Sequence, residues 1–253
     1  MNLLDTPVLV TGAASGLGAA TARLLAAAGA RVAVLDVQLD KARQVASDIQ
    51  GLAVHCDVTD PAGAEQAIAQ ARAAHGPARL LVNCAGGGAP RRVVNREGVM
   101  PLEAFTKVLN LNLVGAFNMT RLAVADMMAT QPLADGERGL VLFTASVAAF
   151  EGQIGQAAYT AAKGGLVALT IQLAREFSSA GIRVMTIAPG IFHTPLFDNT
   201  APQVQQALAE AVPFPQRLGR AEEFAELALH IAGNRYLNGE VIRIDGAARM
   251  APR

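Results

Sequence analysis

Residues that often announce chemistry by themselves are scarce in this chain: 253 residues hold two cysteines and four histidines. Cys56 and Cys84 each close an apolar run, a setting for buried free thiols rather than for a disulfide or a nucleophile. His55, His75, His193 and His230 are scattered without ligand spacing, so no catalytic metal is expected. Net charge is also missing, with Lys plus Arg and Asp plus Glu both 21. Nothing in that balance points to nucleic acid or a membrane surface as a partner, and an anionic ligand would have to be met by a local patch. Uncharged stretches such as Val108–Thr120 and Val184–Phe197 fall short of the ~18 residues needed to span a bilayer. No charged leader precedes the first apolar run, which predicts a cytoplasmic protein. No linker, repeat or composition break interrupts residues 1–253, so a single domain is expected.

What is present is a hydrophobic content of 52% arranged in short runs at 7–11, 31–35, 52–56, 79–83, 139–144, 182–188 and 241–244, alternating with helical stretches. This alternation predicts an α/β fold: a doubly wound, seven-stranded parallel sheet of Rossmann type with helices on both faces. Ligands of such sheets bind outside the carboxyl ends of the strands, where Gly12, Asp36, Asp57, Asn83, Ser146 and Pro189 would emerge.

The first run leads into Thr11-Gly12-Ala13-Ala14-Ser15-Gly16-Leu17-Gly18 and an alanine-rich helix. Glycines permit a tight turn and close backbone approach, and the free N–H groups of the following helix suit a diphosphate. A strand-to-helix turn can need glycine for steric reasons alone, so the second run matters: it ends at Asp36, about where a dinucleotide fold places an acid on the adenosine ribose. A carboxylate there repels a 2′-phosphate, and with Val37 beside it and no adjacent Arg or Lys, NAD is preferred over NADP. A turn acid is the other reading of Asp36.

Ser146, Tyr159 and Lys163 supply a hydroxyl, a titratable phenol and a cation within one stretch. A phenol titrates near pH ~10, so a base role requires a nearby positive charge. On the helix predicted between 157 and 180, Tyr159 and Lys163 lie four apart and share a face. Tyr-x-x-x-Lys also occurs by chance, and its weight comes from the glycine turn at the other end of the chain.

These motifs, with Asp57-Val58, Asn83-Cys84-Ala85-Gly86, Asn112, Pro189-Gly190 and Thr194 in order, resemble the short-chain dehydrogenase/reductase family over nearly the whole chain. Within it, the segments at 144–153, 155–159, 183–190, 212–219 and 237–250 resemble the type 2 3-hydroxyacyl-CoA dehydrogenases. The resemblance implies NAD-dependent interconversion of a secondary alcohol and a ketone, (S)-3-hydroxyacyl-CoA and 3-oxoacyl-CoA, with an acyl-CoA thioester as substrate and a homotetramer or homodimer as assembly; a family dehydrogenase or reductase acting on a steroid, sugar or acyl-carrier substrate, and a non-catalytic NAD-sensing interaction protein, are the other readings. It implies Tyr159 as acid/base, Ser146 holding the substrate oxygen, Lys163 on the nicotinamide ribose, and Asn112 in a proton relay. A core-bonded amide is the other reading of Asn112.

Implied cofactor contacts are Gly12, Ser15, Gly16, Leu17, Gly18, Asp36, Val37, Asp57, Val58, Asn83, Ala85, Gly86, Tyr159, Lys163, Pro189, Gly190, Ile191 and Thr194. Asp57 reads equally as a capping acid ahead of Thr59-Asp60-Pro61, and Thr194-Pro195 as a helix start. His193 is open between a ligand contact and a surface residue. Residues 191–220 suit a lid over an apolar substrate or a packed arm. Arg91, Arg92 and Arg96, in a loop that departs from the type 2 enzymes, suit either phosphates or plain solvation. Gly164-Gly165 inside a helix costs roughly 1 kcal/mol each relative to alanine, which predicts a close-packed neighbour, from this chain or from another subunit.

Overall fold

The runs rich in Val, Ile and Leu form strands because their side chains pack on both faces of a pleated sheet. The structure, a computed structural model, describes residues 1–96, 98–194 and 201–252. Strands β1 (Pro7–Thr11), β2 (Arg31–Asp36), β3 (Leu52–His55), β4 (Leu80–Asn83), β7 (Gly139–Thr144), β8 (Ile182–Pro189) and β9 (Val241–Ile244) pair in the order β3-β2-β1-β4-β7-β8-β9. Every ladder in this sheet is parallel, as the strand and helix alternation predicts. Two further strands, β5 (Val94–Asn95) and β6 (Gly98–Val99), form a small antiparallel hairpin apart from the sheet; the loop sequence gives no expectation of it.

Alternate residues of one strand feed two cores. Val8 and Val10 pack with Leu25 of α1 (Gly16–Ala27) and with Phe224 and Ile231 of α8 (Ala221–Gly233). Leu9 faces the other way, into a layer with Phe143, Met119 of α5 (Gly115–Met128) and Leu166 of α6 (Ala157–Glu176). Full burial of one such side chain contributes about 1.5–3 kcal/mol, enough to outweigh the glycines in α6. The remaining helices are α2 (Leu39–Asp48), α3 (Pro61–His75), α4 (Leu102–Leu109) and α7 (Pro202–Glu210). Proline at N1 and the Asp60 carboxylate, which accepts from Ala62 N–H at 3.1 Å, start α3.

Residues 102–128 are helical in composition throughout, but a π-helical turn at Asn110–Val114 separates α4 from α5. By length and hydropathy this run would suffice to cross a membrane. Here α5 is an inner helix that buries Asn118, Met119 and Thr120, and the Asn118 amide donates to the Val58 carbonyl at 3.0 Å. Gly165 finds its close neighbour inside the chain: a Cβ there would lie 2.8 Å from Leu113 of the π turn, whereas one on Gly164 would meet nothing within 4 Å. Part of the expected lid, residues 195–200, lies outside the described residues, as does Pro195 of the expected Thr194-Pro195 helix start.

Candidate active site

Strands β1, β2, β4, β7 and β8 end along one edge, and the residues that follow them build the site. At β1, Gly12 (φ 63°) and Gly16 (φ 54°) take left-handed backbone that favours glycine. A Cβ on Gly12 would fall 2.7 Å from the backbone of Ala85, and one on Gly18 would strike the Gly12 carbonyl. The turn is therefore packed against the Cys84–Gly86 loop, which Thr11 also secures by accepting from Ala85 N–H at 3.2 Å. Ser15 is the N-cap of α1 yet makes no side-chain cap bond, leaving the first-turn N–H groups uncapped by it, unlike those of α3.

Asp36 is buried at the end of β2. Its Oδ2 accepts from Ala14 N–H at 3.0 Å and its Oδ1 from Gln38 N–H at 2.8 Å. The carboxylate thus braces the glycine turn and, since each oxygen can accept twice, retains capacity for ribose hydroxyls. Val37 beside it is exposed.

The other implied cofactor contacts divide. Asp57 spends its Oδ1 on Thr59, from N–H at 2.9 Å and hydroxyl at 2.7 Å, and these bonds hold its carboxyl below the ordinary range. It closes a turn, while the helix cap is Asp60. Val58 packs its side chain toward Gly115, and Asn118 occupies its carbonyl. Asn83, an implied cofactor contact, buries its side chain and donates to the Thr120 hydroxyl at 3.4 Å. It sits on β4, and only the small residues after it, Ala85 and Gly86, turn to the edge. Pro189 is buried at the end of β8, and the missing side chain of Gly190 makes room for Asp245, 2.8 Å from a built Cβ. Ile191 accepts from Gly219 N–H at 2.9 Å, and His193 N–H donates to Gly219 at 2.8 Å, a ladder that holds Thr194 beside the glycine turn: Thr194, His193, Ser15 and Gly16 line one cavity of about 700 Å³. Leu17 packs on the core.

Ser146, Tyr159 and Lys163 converge as the sequence predicts. Ser146 follows β7 and caps a short 3-10 turn, Val147–Ala149, by accepting from Ala148 N–H at 3.1 Å. Tyr159 and Lys163 share a face of α6, with Lys163 Nζ 5.5 Å from the Tyr159 ring centre. Lys163 is buried and donates to the Thr144 carbonyl at 2.7 Å, a partner that the sequence reading missed although it lies two residues before Ser146. Burial pulls the Lys163 ammonium down to about 8. Burial also raises the Tyr159 phenol above its ordinary value, and a hydrogen bond with Ser146 offsets this in part. Desolvation thus holds the Tyr159 phenol up, with the Ser146 hydroxyl as the contact that opposes it.

Asn112 lies in the π turn, fully buried. Its Oδ1 accepts from Gly87 N–H at 3.0 Å, and its Nδ2 donates to the carbonyls of Gly87 at 2.7 Å and Val108 at 2.9 Å. These bonds commit the Asn112 side chain to the Gly87 and Val108 backbones. Gly86 is pressed between Asn112 and Lys163: a Cβ there would stand 2.7 Å from Asn112 Oδ1 and 3.4 Å from Lys163 Nζ.

The family model for short chain dehydrogenases matches residues 6–205. The chain belongs to the short chain dehydrogenase family. It is 47% identical to 3-hydroxyacyl-CoA dehydrogenase type-2 of Drosophila melanogaster, covering 96% of this chain and 97% of that protein. Identity to 3-hydroxyacyl-CoA dehydrogenase type-2 of Homo sapiens is 46%, over 96% and 95%. The crystal structure of 3-hydroxyacyl-CoA dehydrogenase type-2 from Mycobacterium avium superimposes with a TM-score of 0.95 at 42% identity, covering 98% of each chain. The protein is thus an oxidoreductase of a family that uses a nicotinamide cofactor. Its residues fit that group: an uncapped helix start beyond a glycine turn, a braced acid at the end of β2, and a buried ammonium with three donors and one acceptor among the described residues.

Proposed function

We propose that this enzyme uses NAD to interconvert a 3-hydroxyacyl-CoA and its 3-oxoacyl-CoA. The observation that carries the reading is the meeting of Ser146, Tyr159 and Lys163 beside the glycine turn, in a chain whose full-length relatives at 43–47% identity are named for that thioester. When bound, the nicotinamide supplies the hydride acceptor or donor. Asp36 favours the unphosphorylated ribose, since a 2′-phosphate would meet a buried carboxylate already fixed by two N–H groups. Ser146 orients the substrate oxygen by hydrogen bond. Tyr159, protonated at neutral pH because burial raises it, gives its proton to that oxygen in reduction and recovers it in oxidation. Lys163, charged below about pH 8, sits under the ring and stabilises the phenolate that each reduction leaves behind.

A homo-oligomer belongs to the same proposal. Gly164 on α6 opens to free space, and Val114, Phe117 and Ile171, on the π turn, α5 and α6, are exposed apolar residues that a second copy would cover. Light scattering should give a dimer or tetramer at micromolar concentration, and a monomer would remove this part. The function itself is tested by following cofactor absorbance with purified protein, NAD and NADP, and matched 3-hydroxyacyl-CoA, steroid and sugar alcohols. Turnover confined to the CoA thioester with NAD is the expected result. Turnover only on the other alcohols would overturn it.

A further inference from the structure

One arm of the site is left without a task by the hydride chemistry: Gly87–Met100, between β4 and α4. Its base is fixed. Asn112 holds the Gly87 backbone from both sides, Gly88 lies against the Tyr159 ring, 3.9 Å from a built Cβ, and Arg91 N–H donates to the Gly155 carbonyl at 2.7 Å. Gly155 belongs to the segment joining Ser146 to Tyr159, so the arm is pinned beside the reacting residues. Beyond this anchor the β5–β6 hairpin projects, closed by Met100 N–H donating to Val93 at 2.8 Å. The arm as a whole carries Arg91, Arg92 and Arg96, all exposed, together with exposed Val93, Val94 and Val99. Arg217, Arg243 and Arg249 are neutralised by carboxylates. None of the three arm arginines pairs with a carboxylate among the described residues.

We infer that Arg91, Arg92 and Arg96 form a clamp for the nucleotide phosphates of coenzyme A, holding the thioester while its acyl end reaches Ser146 and Tyr159. The inference rests on the CoA reading of the function and adds the residues that would recognise CoA. A chain of zero net charge has to meet a multiply anionic ligand with a local patch, and this basic patch is fixed to the reaction site. Guanidinium forks match phosphate oxygens. The flanking valines offer apolar contact to the pantetheine arm, so the surface is amphiphilic as the ligand is.

The test compares wild type with the triple variant Arg91→Ala, Arg92→Ala, Arg96→Ala on acetoacetyl-CoA and on acetoacetyl-pantetheine, which lacks the nucleotide. The Arg91 substitution keeps the backbone bond to Gly155, and an unchanged NAD affinity checks that the site is intact. Each exposed ion pair contributes a factor of about two, so KM for the CoA thioester should rise roughly tenfold with kcat unchanged. KM for the pantetheine ester should not move. In wild type, KM for the CoA thioester should rise with salt, and the variant should lose that dependence. An active wild type whose KM for the CoA thioester survives the triple substitution overturns the clamp alone. A fall of kcat on both esters also overturns it, placing the arm in the chemistry instead. Loss in the variant of a preference for an acyl-carrier-protein thioester over CoA would reassign the arginines to a protein partner. A wild type inert on both esters removes the CoA reading and the clamp together.

Discussion

Replacing Lys163 with methionine should stabilise the ligand-free protein while abolishing turnover. The lysine is buried, and desolvation brings it from 10.5 down to about 8. At about 1.4 kcal/mol for each pH unit, keeping the ammonium charged costs the folded state about 3 kcal/mol. Methionine has similar length and no charge, but it leaves the Thr144 carbonyl without its donor at 2.7 Å, a loss of about 1–2 kcal/mol. The net gain at pH 7 is about 1–2 kcal/mol, or roughly 4 °C in Tm for a chain of this size. Its pH dependence has a definite sign. Below about pH 8 both folded and unfolded states hold the proton and the full penalty applies. Between about 8 and 10.5 the unfolded chain holds more protons than the folded one, so wild-type stability rises with pH. The advantage of the variant should therefore be present at pH 7 and gone by pH 10. Scanning calorimetry of cofactor-free protein at both pH values measures it. A variant that melts below wild type at pH 7, or a Tm difference that is the same at pH 10, would refute the reasoning.

Asp36→Ala should shift the ratio of kcat/KM for NAD over NADP toward NADP, and should also cost about 2 kcal/mol of stability by releasing the Ala14 and Gln38 N–H groups; an unchanged ratio would mean that the ribose contact lies elsewhere. Gly86→Ala places a methyl 2.7 Å from Asn112 Oδ1 and 3.4 Å from Lys163 Nζ. Displacing either group by part of an ångström should lower kcat on the order of tenfold or more, measured by steady-state kinetics, with a wild-type value contradicting the packing account. Because the phenol of Tyr159 is held above its ordinary value, alcohol oxidation should accelerate as pH rises above neutrality, and an acid optimum for oxidation would contradict that assignment.

The sheet was legible because its strands are short aliphatic runs bounded by turn residues, and the catalytic trio because Tyr159 and Lys163 repeat at the helical spacing behind a strand that ends just before Ser146. What composition could not convey was hydrogen-bond register and depth. Residues 102–128 are helical in composition throughout, and only the structure distinguishes the π turn that turns Asn112 toward Gly87. Asn83 and Asp57 look alike from sequence, as polar residues at strand ends. One points into the α5 layer toward Thr120 and the other closes a turn with Thr59. The brace from Asp36 to Ala14 spans 22 residues of sequence. The network joining Glu151 to Arg243 and Arg249, which ties the C-terminal segment to the Ser146–Tyr159 connection, spans even more, beyond the reach of any local pattern. The direction of the Tyr159 shift depends on burial weighed against the Ser146 hydrogen bond, and burial is a property of the fold.

The central claim is that the Tyr159 hydroxyl exchanges the proton at the substrate oxygen. Tyr159→Phe removes that single oxygen and keeps the ring beside Lys163. Cofactor-absorbance turnover on a 3-hydroxyacyl-CoA, measured together with NAD affinity, is the direct test. The account predicts loss of turnover by about a hundredfold or more with NAD binding near the wild-type value; a variant that keeps most of its activity would contradict it.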